Sequence, residues 1–363
     1  MSEARDGMNW APTAAKPVPV VKNGEFVFAS AFFNHGHIFG QTNGLSEAGG
    51  LCKWAWDPDS DRLDEFCSRY PKVQRASSYE QILEDPEVHL VTAAAIPSDR
   101  CAIGLQTLRA GKDYYTDKSP FTTLEQLEEA KKVVKETGKK YLCDFSERLH
   151  TEAGWYAGEL IAEGAIGKVI QVLIMAPHNL AKESRPDWFF DKEKYGGILT
   201  DIGSHQFEQF LSYAGAKDGV VNYARVDNIA NPDTPGLDDY GEASITTDNG
   251  VSCYCRMDWF NPRGHRSWGD GRTFVLGTDG YIEVRKYNDI TLEPQEDQIV
   301  YLVDHEGEKR IPCSGKIGFP FYGRLILDIL NRTEDAMTQE HCFKAAELSM
   351  KAQQFADQAN AST

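Results

Sequence analysis

Apolar positions along the chain follow two different rhythms. From Glu25 to Phe145, short apolar runs alternate with longer amphipathic stretches. Glu25–Phe33 (EFVFASAFF), Leu51–Trp56, Val88–Ala95, Lys112–Thr116 and Lys140–Phe145 read as strands. Between them, a segment ending at Ala48, Asp59–Tyr70, Asp99–Ala110 and Leu124–Thr137 read as helices, the last with a face of Lys and Glu. Strand and helix in alternation predict a parallel sheet with right-handed crossovers.

After Ser146 the rhythm changes. A helix is expected over Thr151–Glu163, a strand over Lys168–Ala176 and a helix-like run from Ile202 to Phe210. Strand-like runs follow at Gly219–Val226, Gly241–Thr247, Val251–Trp259, Arg272–Leu276, Tyr281–Val284 and Gln298–Val303. Turn signals such as Asp248-Asn249-Gly250 and Asp279-Gly280 separate several of them, which predicts a largely antiparallel sheet. Helices over Phe319–Asn331 and Glu340–Gln358 close the chain. The expected organisation is an arm at 1–24, a doubly wound α/β domain at 25–147 and an α+β domain at 148–363 with an open, mainly antiparallel sheet.

Composition narrows the function. The chain has 363 residues, enough for two cores, and its 41% hydrophobic and 26% charged content is that of a globular protein. A formal net charge of -17 argues against a nucleic-acid or anionic-membrane binder. Residues 1–24 lack the apolar core of a signal peptide, and no run is long enough to span a bilayer. The eight cysteines form no Cys-x-x-Cys pair, which fits free thiols in a reducing cytoplasm, the expected location.

Candidate chemistry centres on Gly196-Gly197-Ile198-Leu199-Thr200-Asp201-Ile202-Gly203-Ser204-His205. Asp201 and His205 are four apart and share a helical face. A carboxylate can orient an imidazole and stabilise its charged form, a workable proton-transfer unit. A capping aspartate beside a hydrogen-bonded histidine is the plainer alternative. Two ligands at this spacing are too few for a metal, and none is expected.

The first strand, turn and helix suggest a dinucleotide site, with degraded glycines. The pattern G-x-G-x-x-G falls on Asn34-x-Gly36-x-x-Phe39, with Gly40 one place late. Asn34 tolerates unusual backbone angles, which softens the loss of the first glycine. An ordinary strand-to-helix turn would leave the same trace. Asp57 ends the second strand about 20 residues past the turn, where an acid can bind both ribose hydroxyls and repel a 2′-phosphate. It could equally be a turn aspartate of Asp57-Pro58-Asp59.

Three stretches in order resemble the glucose–fructose oxidoreductase / inositol dehydrogenase / rhizopine-catabolism (Gfo/Idh/MocA) family. They are Leu90–Ala95 with Ile96-Pro97 and Ala110-Gly111-Lys112, then Thr116-Asp117-Lys118-Ser119-Pro120, then Gly196–His205. The resemblance covers roughly residues 25–358. It implies an N-terminal Rossmann domain, a C-terminal open sheet and NAD(P)-linked oxidation of a sugar or polyol hydroxyl. Lys118, Asp201 and His205 match the family's catalytic lysine, acid and histidine. Asp117 stands where the family has glutamate, and Ser119 where it has proline.

On this reading Asn34, Gly36, His37, Ile38, Asp57, Ile96, Pro97, Asp117 and Lys118 line the cofactor. Arg148, His150, Trp188, Asp201 and His205 face substrate. Lys118 would hold the reacting oxygen and His205 would take its proton, with Asp201 orienting the ring. A surface lysine is the alternative for Lys118, and a core patch for Trp188 and its neighbours Phe189 and Phe190. NAD is expected over NADP, with a carbohydrate or polyol substrate. A homodimer or homotetramer through the second sheet is expected, with Val251, Cys253, Cys255 and Met257 as its apolar face. Two alternatives stay open: a sugar-modifying enzyme whose NAD(H) is retained and recycled, and a non-catalytic nucleotide- or sugar-binding regulator.

Overall fold

The computed structural model describes residues 16–291 and 297–361. Residues 1–15 of the expected arm lie outside the described residues. The arm's end is not loose: the Val20 N–H donates to the Ala48 carbonyl at 3.0 Å. The described chain forms two compact units, residues 16–144 with 318–343, and 145–291 with 297–317 and 344–361.

In the first unit six strands form one sheet: β1 (Val27–Ala31), β2 (Leu51–Trp56), β3 (Gln74–Arg75), β4 (Leu90–Ala93), β5 (Asp113–Asp117) and β6 (Tyr141–Asp144). Every pair is parallel and the order is β3-β2-β1-β4-β5-β6. Strands β1, β4, β5 and β6 are buried at every residue, as strands covered on both faces must be. Helices His37–Glu47, Pro97–Arg109 and Leu124–Thr137 make the crossovers. The direction of winding reverses between β1 and β4, so a crevice opens at the carboxyl ends of these two strands. Helix Pro320–Asn331 approaches closely: a Cβ on Gly44 would lie 2.4 Å from the Tyr322 ring.

The turn after β1 departs from expectation. The left-handed residue is Phe32, with φ 58°, and Asn34 does not have a positive φ. Such a backbone costs a non-glycine residue about 1–2 kcal/mol. Two edge-on aromatic contacts hold it, Trp56 at 5.1 Å and Tyr79 at 4.9 Å between ring centroids. Phe39, at the position of the pattern's third glycine, is buried among Phe33, Ile38 and Phe66. An aromatic cluster has therefore replaced the close backbone packing that glycines would allow.

The second unit carries eight strands: β7 (Val169–Pro177), β8 (Gly219–Asp227), β9 (Tyr240–Thr247), β10 (Ser252–Asp258), β11 (Arg272–Gly277), β12 (Gly280–Arg285), β13 (Ile299–Asp304) and β14 (Gly307–Pro312). Their order is β14-β13-β12-β11-β7-β10-β9-β8, antiparallel except for β7 with β10. The β14 sequence, GEKRIP, is polar and carried no strand signal.

One expectation about this sheet is corrected. Val251, Cys253, Cys255 and Met257 are buried, and Met257 and helix residue Leu199 both crowd Gly241. The open face carries the alternate residues. Across β10, β7 and β11 the register aligns Tyr254, Leu173 and Phe274, and next to them Arg256, Met175 and Arg272. No helix among the described residues is long and apolar enough to cross a membrane.

Candidate active site

Each unit holds one cluster of candidate residues. In the first, β5 ends at Asp117, which is wholly buried. Its Oδ1 accepts the Lys118 N–H at 2.8 Å and the His37 ring N–H at 2.9 Å, and its Oδ2 accepts from Arg100 at 3.0 Å. His35 Nδ1 stands 3.4 Å from Oδ2 and also accepts the His37 N–H at 3.3 Å. Burial would raise the Asp117 carboxyl, but His37, Arg100 and His35 outweigh it and hold it well below the usual carboxylate range. Burial and the neighbouring His37 push His35 well below its ordinary value, so it is neutral.

His35, His37 and Asp117 offer ligand atoms within 4.8 Å of one another, donor types that zinc accepts. Both carboxylate oxygens, however, already accept hydrogen bonds, one of them from a guanidinium. The cluster is a hydrogen-bonded hub centred on Asp117. Lys118, directly after it, is buried, and its carbonyl accepts from Arg100 Nη1. The Lys118–Ser119 peptide is cis.

The other first-unit residues surround the same strand ends. Gly36 caps helix His37–Glu47 with φ −65°, so it needs no glycine-only conformation there. Ile38 is buried and Asn34 half-buried. Ile96 caps helix Pro97–Arg109, with Pro97 in its first turn, where a missing N–H costs nothing. Asp57 is buried and engaged: Oδ2 accepts the Phe33 N–H at 2.5 Å, and Oδ1 accepts the Asp59 N–H at 2.8 Å and pairs with Arg62 at 2.9 Å. The turn role and the position at the strand end thus coexist, with a cation beside the acid that composition alone did not reveal.

These residues fit a dinucleotide. The crevice where winding reverses, the side-chain-free Gly36 at a helix start and the acid at the end of β2 are the parts such a ligand needs.

In the second unit Gly196 and Gly197 have φ 88° and 91°, and a Cβ on Gly197 would lie 2.3 Å from the Gln353 side chain. The pair turns the chain into helices Ile198–Asp201 and Gly203–Ala214, joined through Ile202 in helical conformation. Asp201 ends the first and His205 lies in the opening turn of the second, both buried. The His205 ring meets Phe145 edge-on at 6.4 Å, and its carbonyl accepts from Gln209 at 3.0 Å. His150 is buried, and Trp188 half-buried against Phe189. Arg148, expected to face substrate, forms an ion pair with Glu208. Its Nε donates to both Glu208 oxygens, at 2.9 and 3.0 Å, because a buried carboxylate beside it needs a cation.

Sequence reasoning missed His35, Arg100 and Asp144 in the first unit, and Glu147, His178 and Lys286 in the second. Only His35 falls within a motif, between Asn34 and Gly36; each has a partner distant along the chain.

Comparison with known proteins gives a consistent picture. A GFO/IDH/MocA C-terminal domain model matches residues 155–283, and an oxidoreductase-family, NAD-binding Rossmann-fold model matches residues 45–145. A putative oxidoreductase structure from Erwinia carotovora atroseptica is 44% identical, with TM-score 0.88, covering 92% of this chain and 99% of that one. The scyllo-inositol 2-dehydrogenase (NAD(+)) of Bacillus subtilis is 25% identical over 62% of this chain and 64% of its own length. A levoglucosan dehydrogenase complexed with NADH and levoglucosan, 17% identical with TM-score 0.76 over 92% of this chain and 97% of that one, shares the fold. The chain spans between 37% and 64% of the length of the curated relatives it matches.

Asp144 gives a stability test for the first cluster. Burial, reinforced by Asp117, pushes its carboxyl up to about 7, against an ordinary 3.8. A raised folded-state value means native Asp144 stays protonated where the unfolded chain ionises. Its contribution is fully present below about pH 4 and is lost as pH rises through about 7. Asp144→Asn should therefore melt several degrees higher than wild type at pH 8 and show little gain at pH 4.5, a magnitude set by about 1 kcal/mol per 2–4 °C. Parallel melting curves at the two pH values check it; an equal difference at both would refute the assignment.

Proposed function

The chain belongs to the GFO/IDH/MocA oxidoreductase family, and on that premise we propose that it transfers a hydride between a nicotinamide dinucleotide and a secondary hydroxyl of a sugar, cyclitol or related polyol. The observation that carries the reading is Lys118, buried at the carboxyl end of β5 and anchored by its own backbone to Asp117 and Arg100. The dehydrogenase names of the inositol and levoglucosan relatives support the substrate class.

Roles are assigned residue by residue. Gly36, His37 and Ile38 hold the pyrophosphate end, Asp57 the ribose hydroxyls, and Ile96 and Pro97 flank the cofactor. Bound NAD supplies the hydride acceptor. Lys118 Nζ donates to the substrate oxygen and stabilises the alkoxide charge that grows as hydride departs. His205 takes the hydroxyl proton, and Asp201 orients the imidazole. His150 and Trp188 are assigned to substrate. NADH formation over a panel of sugars and polyols, run in parallel with NADP, tests the reading; no turnover on any of them would refute it.

Kinetics of variants test the division of labour. Lys118→Ala and His205→Ala should each lower kcat by roughly 10²–10⁴-fold while nucleotide affinity changes little. Asp201→Asn should be milder than His205→Ala. Near-wild-type turnover in folded Lys118→Ala and His205→Ala would place the chemistry elsewhere.

Cofactor choice turns on Asp57 and Arg62. The acid disfavours a 2′-phosphate, and the adjoining guanidinium tempers that repulsion. NADH should bind more tightly than NADPH, and Arg62→Gln should widen the gap by removing the compensating cation. Calorimetric titration with both nucleotides reads this directly, and tighter NADPH binding in wild type would overturn it.

The open face of the second sheet is proposed as the surface of a homodimer or a tetramer of dimers. Its row of Tyr254, Leu173 and Phe274, beside Met175 at 43% exposure, is apolar area that association would cover. Sedimentation at micromolar concentration should show a dimer or larger, and Leu173→Lys with Phe274→Glu should give a folded monomer. A wild-type monomer at that concentration contradicts the proposal.

A further inference from the structure

The second unit holds a buried charge pair that none of these roles uses. Glu147, on the short helix Ser146–Leu149, is 2% exposed, and Lys286, just past β12, is 0% exposed. Lys286 Nζ donates to Glu147 Oε2 at 3.1 Å and to Gln209 Oε1 at 2.6 Å. Gln209 Nε2 donates in turn to the His205 carbonyl at 3.0 Å, and Gln206 Nε2 donates to Glu147 Oε2 at 2.8 Å. The contacts close a circuit on the helical turn that carries His205. One link reaches the residue after it, the other the residue four further on. A buried ion pair adds little stability over apolar side chains of the same size, so this one calls for another account.

The carboxylate's second oxygen supplies it. Glu147 Oε1 is buried, accepts no hydrogen bond, and lies 3.7 Å from His178 Nε2. Burial alone would raise the Glu147 carboxyl, but Lys286, His205 and His178 pull it down to about 2, so it is ionised. On Lys286, burial works against the proton and Glu147 works for it. The remaining charged and titratable groups facing the pair are Glu208 and Arg148, which compensate each other, and the phenols of Tyr213 and Tyr287. The oxygen that accepts no hydrogen bond faces the His178 ring, and the other is tied through Gln206, and through Lys286 and Gln209, to the turn that carries His205.

We propose that Glu147 is a positioning residue for His205: together with Lys286 it fixes the turn that carries the imidazole, and its carboxylate favours the imidazolium. His205 then has a built-in counter-charge beyond Asp201 when it receives a proton. This deepens the dehydrogenase reading and rests on it for its effect on turnover. The effect on the ring itself is independent of any substrate.

The test is therefore the proton titration of the His205 ring by NMR in the full chain, with the resonance assigned by its loss in His205→Asn. Glu147→Gln should lower the His205 midpoint by about one pH unit or more, the usual effect of an opposite charge nearby. Lys286→Met should raise it. The double variant Glu147→Gln with Lys286→Met leaves no buried charge unpaired and should fold. Its midpoint should fall, by less than in Glu147→Gln, because loss of the ammonium offsets part of the loss of the carboxylate. The acid limb of the pH profile for alcohol oxidation should move in each variant in the same direction as the His205 midpoint. An unchanged His205 midpoint in either folded Glu147 variant overturns the proposal. Shifted midpoints in a protein that oxidises no sugar or polyol would support it while refuting the dehydrogenase reading.

Discussion

Arg100 is the side chain on which the first cluster depends. It is wholly buried, and an unpaired guanidinium there would be untenable, so every acceptor around it has a task. Its Nε donates to the Ala95 carbonyl at 2.8 Å, Nη2 to Asp117 at 3.0 Å, and Nη1 to the carbonyls of Lys118 and Ser119. One residue of helix Pro97–Arg109 thereby ties the exit of β4 to the exit of β5. Removing one partner of such a buried pair typically costs about 3–5 kcal/mol, because the other charge is left without compensation. The lysine assigned to the reacting oxygen follows directly from this anchor, so its backbone has little freedom to drift.

The second unit uses the same device on a different residue. Glu147 and Lys286 form a buried pair whose further hydrogen bonds grip the turn bearing His205. Lysine and histidine are the two groups whose protonation an alcohol oxidation must govern. In each unit, polar connections made inside the core position one of them. The electrostatic consequences differ. Arg100 and His37 engage the two oxygens of Asp117, whereas Glu147 keeps one oxygen without a hydrogen bond, 3.7 Å from the His178 ring.

The turn after β1 shows how a nucleotide-binding frame survives with Gly36 alone of the three glycines in the pattern. Phe32 accepts a left-handed backbone because Trp56 and Tyr79 brace its ring, and Phe39 fills space that a glycine would leave to backbone. Asp57 fastens this turn to the end of β2 through the Phe33 N–H. The strand order and crevice are untouched by these substitutions, since parallel pairing and crossover handedness depend on the hydrophobic runs and not on the turn.

By itself the sequence determined whatever is periodic or local. Leu51–Trp56 and Leu124–Thr137 are legible to the residue, because burial on a strand or on one helical face leaves a fixed spacing of apolar positions. Asp117-Lys118 and Asp201–His205 are legible because each lies within a few residues of one chain segment. Tertiary structure alone decided the rest. The two-residue β3 and the polar β14 leave no apolar trace, being edge strands paired on one side. The face that β10 presents outward depends on which side the helices cover, and alternation is symmetric between Cys253, Cys255 and Tyr254, Arg256. His37 meets Asp117 across 80 residues, and Lys286 meets Glu147 across 139. A contact between such distant positions is set by how whole elements pack, and a single sequence carries no pattern that records it.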